Sequence, residues 1–183
     1  MTTYRPLSLA TKAVTALTLS GALVACSTTD LGRAPALERE GSWVLLPFEN
    51  HTETPMAGMR AEAIAEAVLH ARGVGNIKRF GGTSQQDSLF STAEKPSADA
   101  PLNWAREQGA TYALSGAVDE WRYKVGVDGE PAAGVALRII DVKTGNTVWS
   151  GAGGKSGWSR EALSAVGQKL IRNLLNTGLS NLR

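Results

Sequence analysis

Cysteine and histidine are almost missing from this chain of 183 residues, which has one cysteine and two histidines. A lone cysteine excludes a disulfide framework and a zinc site built from several thiolates. His51 and His70 share no ligand spacing and read as a loop residue and a helix-surface residue. A strong charge of one sign is also lacking: the formal net charge is +2. No basic run or aromatic-basic interleaving suggests a nucleic-acid partner. No apolar run reaches the roughly 20 residues that a membrane-spanning helix needs.

The patterns of catalysis are absent as well. Gly154-Lys155-Ser156 imitates the end of a phosphate-binding loop, but the upstream glycine that the loop requires falls at Trp149. Lys143-Thr144-Gly145 matches a motif of penicillin-interacting serine enzymes, yet no Ser-x-x-Lys precedes it, and it reads better as a hairpin turn. Glu62 and Glu66, one helical turn apart, read as a solvated face. Asp119 and Glu120 are adjacent in a strand and should point to opposite sides. Neither pair forms an acid/base couple, so the chain is expected not to be an enzyme.

What is present starts at the amino terminus. Arg5 and Lys12 precede an apolar stretch from Ala13 to Leu23, followed by Leu23-Val24-Ala25-Cys26, the order of an export signal. Leu-x-Ala-Cys resembles the lipobox of bacterial lipoproteins; the alternative is an ordinary secretory signal followed by a free thiol. The lipobox implies that residues 1–25 are a signal peptide and that Cys26 receives a diacylglycerol thioether and an amide-linked acyl chain. This lipid is the only attached group expected, with no cofactor and no metal. At about 0.8 kcal/mol per buried CH₂, several acyl chains anchor a protein durably. Ser27, rather than aspartate, after the cysteine implies the outer membrane for a Gram-negative lipoprotein. Cleavage removes Arg5 and Lys12, leaving 158 residues with 17 bases against 17 acids. The apparent basicity disappears, and the length suits one domain.

Residues 26–41 are polar, without periodicity, and read as a lipidated tether ahead of a domain over 42–183. Trp43 to Phe48 reads as a strand buried on both faces, ended by Pro47. Thr54-Pro55 predicts a helix start, with Met59, Ala63, Ile64, Ala67, Val68 and Ala71 as its apolar face and Gly73 as its stop. Asn76 to Phe80 is a further strand candidate, residues 81–101 a surface loop, and Leu102 to Gln108 a short helix closed by Gly109. Thr111 to Val125, Gly134 to Val142 and Thr147 to Ser150 predict an antiparallel meander, with Asp128-Gly129 and Lys143 to Asn146 as turns. Ser159 caps a final helix with Leu163, Val166, Leu170, Ile171, Leu174 and Leu175 on one face. The fold class is α/β of the α+β kind: one domain with helices packed on a mainly antiparallel sheet.

Three segments carry a resemblance: Leu46 to Thr52 ahead of a helix, Gly109 to Gly116 leading a long strand, and Asp141 to Ser150 ending in Val-Trp-Ser. Together they resemble the CsgG/LpoB group of periplasmic lipoprotein domains. Gly129 to Val135, followed by Gly157 to Ala162 and the last helix, is similar to the PelC family of outer-membrane lipoproteins in Pel exopolysaccharide export. The resemblance implies a homo-oligomeric ring, of twelve subunits in that family, on the periplasmic face of the outer membrane. It implies that an acidic inner surface guides a cationic amino-sugar polysaccharide to a PelB-like β-barrel exporter.

Two positions stand out as candidate site residues. Trp158 sits in what reads as a glycine-rich turn over Gly151 to Gly157. It either enters the lipid interface, where the family's membrane-seated tryptophan aligns, or staples onto Leu163. Asp128 is either a turn former or, repeated around a ring, a pore-facing carboxylate, with Asp119 and Glu120 as weaker members of the acidic surface. Trp43, Trp104, Trp121 and Trp149 fit packing, the last two in the core or between subunits. Arg122 and Arg160 are candidates for ion pairs between subunits. Two other roles are open at this stage: a lipoprotein activator of a cell-wall synthase, or an enzyme on envelope polymers.

Overall fold

The computed structural model describes residues 27–81, 99–126 and 129–183. The expected signal peptide, Cys26, Asp128 and most of the expected 81–101 loop lie outside them. The elements run β1 (Ser27–Leu31), β2 (Trp43–Leu45), β3 (Glu49–Asn50), α1 (Ala57–Ala71), β4 (Ile77–Arg79), α2 (Ala100–Glu107), β5 (Tyr112–Tyr123), β6 (Pro131–Asp141), β7 (Thr147–Ser156) and α3 (Leu163–Gly178). They build one mixed sheet in the order β1-β7-β6-β5-β2-β4, with β3 also on β5. The expected meander of β5, β6 and β7 is antiparallel, and the short β2 lies parallel to both β4 and β5. The α+β class therefore holds.

Side chains alternate across a strand, and β2 shows the consequence. Trp43 and Leu45 enter the main core with Leu114, Trp121, Leu137, Ile139 and Trp149, where α3 contributes Leu170, Ile171, Leu174 and Leu175. Val44 and Leu46 point the other way, into a smaller cluster with Ala105 of α2, Ala113 and Val142. Helices α1 and α3 thus cover one face of the sheet, and α2 covers one end of the opposite face. Full burial of each large aliphatic side chain is worth about 1.5–3 kcal/mol. The predicted apolar face of the last helix is the buried one. Trp121 and Trp149 are core residues, each 2% exposed.

Several expectations change. Residues 27–41 are folded: β1 pairs antiparallel with β7, Leu37 is buried, and the Arg39 amide bonds the Arg183 carbonyl. A polar strand can lie on a sheet edge because one side of its backbone is satisfied there and its side chains stay in water. Gly151 to Ser156 continues β7 instead of forming a turn. Glycine is needed in this strand because a Cβ at Gly151 would come within 2.7 Å of the Trp149 ring. Helix α1 begins at Ala57, behind Met56 at φ 59°, with no side-chain cap. The Thr54 hydroxyl bonds the Trp121 carbonyl instead. Ser159 does not cap α3, which starts at Leu163 after Ala162; the Leu163 amide donates to the Tyr123 hydroxyl at 3.1 Å.

The buried side of α1 is Ala57, Ala61, Glu62, Ala65, Val68 and Leu69. Met59, Ala63, Ala67 and Ala71, expected inside, are exposed. Glu62 and Glu66 are not a free solvated face: Arg79 of β4 bonds Glu62 at 2.8 Å and approaches Glu66 at 3.3 Å.

Candidate functional site

The register of the outer strands gathers several features at one end of the sheet. Ser27, the residue after Cys26, lies opposite Lys155 near the end of β7. The Lys124 ammonium, just past β5, donates to the Ser156 hydroxyl at 2.7 Å, and the Gly157 amide bonds the Pro131 carbonyl at 2.8 Å. The start of β1, the end of β7 and the β5–β6 connection therefore meet beside Trp158. This end also exposes apolar bulk: Trp158 is 60% exposed, Tyr123 51% and Val125 fully. Lys124, Lys155 and Arg160 stand among them in the chain.

The loop that presents Trp158 is held by electrostatics. The Glu161 carboxylate accepts the Trp158 amide at 3.2 Å and the Lys169 ammonium at 2.6 Å. The Lys169 hydrogen bond, and then that of the Trp158 amide, hold the Glu161 carboxyl below its usual range. Arg160 takes φ 71° to make the bend, and its side chain has no ion-pair partner among the described residues. Sequence reasoning passed over Glu161, although its position three residues after Trp158 is a turn-closing signal.

Asp128 lies outside the described residues. Asp119 and Glu120 are placed differently from expectation. The pairing of β5 with β6 shifts between Val118 and Glu120. That bulge sends Val118 and Trp121 into the core and leaves both Asp119 and Glu120 outside it. Glu120 pairs with Arg122 of the same chain at 3.0 Å. Asp119 accepts His51 Nδ1 at 2.9 Å, and His51 Nε2 meets Glu49 at 3.1 Å. The hydrogen bond to Asp119, then that to Glu49, raises the His51 pKa above 6.5. His51 is thus the centre of an acid-imidazole-acid cluster, a role that no local spacing could reveal across 68 residues of separation.

Among the described residues, no group of three His, Cys, Asp or Glu side chains is arranged to hold a metal, and no helix is long and apolar enough to cross a membrane. The features gathered here form an exposed surface of apolar side chains with bases among them.

No protein-family model matches the chain, and no curated protein matches it. Among solved structures it is similar to the PelC dodecamer of Paraburkholderia phytofirmans, at 40% identity over 86% of this chain and 99% of that one, with a TM-score of 0.71. A variant PelC dodecamer from the same organism, in another crystal form, is 41% identical over 82% of this chain and 97% of that one, with a TM-score of 0.69. Lipoprotein GNA1162 from Neisseria meningitidis, 15% identical over 74% of this chain and 96% of that one at a TM-score of 0.53, shares the fold. Identity at this level along nearly the whole of the Paraburkholderia chain makes the protein a member of the PelC family.

Proposed function

We propose that the protein is an outer-membrane lipoprotein whose copies close into a periplasmic ring and guide a cationic amino-sugar exopolysaccharide to a β-barrel exporter. The observation that carries this reading is the shared end of the sheet. The residue that follows Cys26, the exposed Trp158, and Lys124 and Pro131 at the two sides of the β5–β6 connection all belong to it. Acyl chains on Cys26 and an indole at the headgroup level would seat the same end on a bilayer. Asp128, brought close to an axis by repetition, would focus a negative field on a cationic polymer. Asp119 and Glu120 extend that acidic surface more weakly, because His51 and Arg122 answer their charges. The dodecameric state of the Paraburkholderia relative supports a ring. In this reading the protein conducts polymer without making or breaking bonds.

Native mass of the detergent-extracted, lipidated protein tests the ring directly. A discrete assembly of about twelve chains, as in the relative, is the expected result, and a monomer at high concentration overturns it. In cells, Asp128→Asn should lower secreted polymer while leaving the assembly intact. Undiminished secretion would remove the electrostatic role.

A further inference from the structure

The protomer leaves two surfaces uncovered, on opposite sides. On the sheet face that α2 covers only at one end, strand register aligns Asp30, Ala152, Ala136, Ala117 and Glu49 in one row across β1, β7, β6, β5 and β3. No helix lies on this row among the described residues. On the far side, α1 turns Met59, Ala63, Ala67 and Ala71 outward at four-residue spacing, with Met59 45% exposed and Met56, at its start, 48%. Apolar residues at that spacing form one continuous stripe, the pattern of a face that is covered.

The two faces also differ in charge. The alanine row ends in acids, Asp30 and Glu49, the latter met by His51 at 3.1 Å and by Arg138 at 4.0 Å. The stripe of α1 is flanked by Arg60, His70 and Arg72, and α3 beside it contains Arg172 and no acid, its Lys169 being paired with Glu161. The two acids of α1, Glu62 and Glu66, are occupied by Arg79. A base-bearing helix layer and an acid-ended sheet face are complementary in sign and in shape, because small side chains let a helix approach a sheet closely.

From this we infer that the outward stripe of α1 docks on the bare sheet face of a second copy of this chain. The contact joins two different patches, so it propagates head to tail and can close a ring. The inference rests on the ring reading above and assigns its interface.

Met59→Glu and Ala152→Arg, made separately in the full lipidated chain, test it. Each puts into one face a charge of the sign carried by the surface it meets. Both positions are exposed in the protomer, so the melting temperature of each variant should match that of the wild type in monomeric form. Each variant alone should lose the large assembly and run as a single chain. Met59→Glu keeps a sound sheet face and Ala152→Arg a sound helix stripe, so mixing them restores one wild-type contact and, in the other, sets two introduced charges of opposite sign against each other; the mixture should associate where neither variant does alone. Variants that both stay in the wild-type assembly, or monomeric variants that do not associate on mixing, would overturn the interface while the ring stands. A monomeric wild type overturns the ring itself, and the interface with it.

Discussion

Helices α1 and α3 lie side by side on the same face of the sheet, yet they handle apolar residues in opposite ways. Helix α3 concentrates leucine and isoleucine on one side and packs so tightly that Gly167 lies against the Trp121 ring, where an added Cβ would clash. Helix α1 spends mostly alanine on the core and keeps its methionines outside. A helix with one heavy face is finished within the protomer; a helix with two light faces is suited to two partners, one inside the chain and one beyond it.

The largest effect should come from cutting into the heavy face. Leu174 is fully buried, and Leu174→Ala should cost about 2–5 kcal/mol in unfolding free energy, read from the denaturant midpoint. Next is the bond that ties α1 to β4. Arg79→Ala strands Glu62, which is 8% exposed, without its cation and should cost about 1–3 kcal/mol; Arg79→Lys should recover part of it. On the light face the comparison sharpens. Met59→Ser should change protomer stability by less than about 0.5 kcal/mol, and a larger loss in a monomeric background would mean that the stripe already packs within one chain.

The smallest effect is pH dependence at the His51 cluster. Because its folded pKa is raised above 6.5, the cluster adds stability that is fully present below pH 6.5 and is lost as pH rises through the folded value. His51→Gln should flatten the stability profile in that window, and an unchanged profile would show that the cluster contributes nothing. At the other end of the scale, the Thr144 amide and hydroxyl lower the Asp141 pKa. The Lys143 to Asn146 turn should therefore lose support only as pH falls below the ordinary aspartate value of 3.8.

The parts of the fold that were legible are those where local chemistry and periodicity agree. The meander announced itself through its turns: Asp141 closes the second by accepting the Thr144 amide at 2.8 Å, with Gly145 at φ 76°. The face of α3 followed from large residues at helical spacing. The face of α1 did not, because alanines on both sides give two stripes and periodicity cannot say which one meets the sheet. Strand β1 is polar and short, so nothing in Ser27 to Leu31 marks it until β7 supplies a partner. The second half of β7 was hidden by glycine, a poor strand former that is required here by the neighbouring Trp149 ring. At the candidate site, the exposure of Trp158 was legible from its place outside any apolar period. The outward turn of both Asp119 and Glu120 depends on a bulge, and the His51 cluster on contacts between distant strands, so neither leaves a trace in spacing.

The edge position of β1 also sets how far the domain could reach from a lipid on Cys26. A residue spans at most about 3.6 Å of extended chain, and Ser27, already pinned in the sheet opposite Lys155, follows Cys26 directly. A lipid on Cys26 would moor the domain with almost no leash. A regulator that has to find its target on the far side of the periplasm needs slack that this arrangement denies. A wall segment standing around an outlet needs none, and gains from being held upright and close to its neighbours.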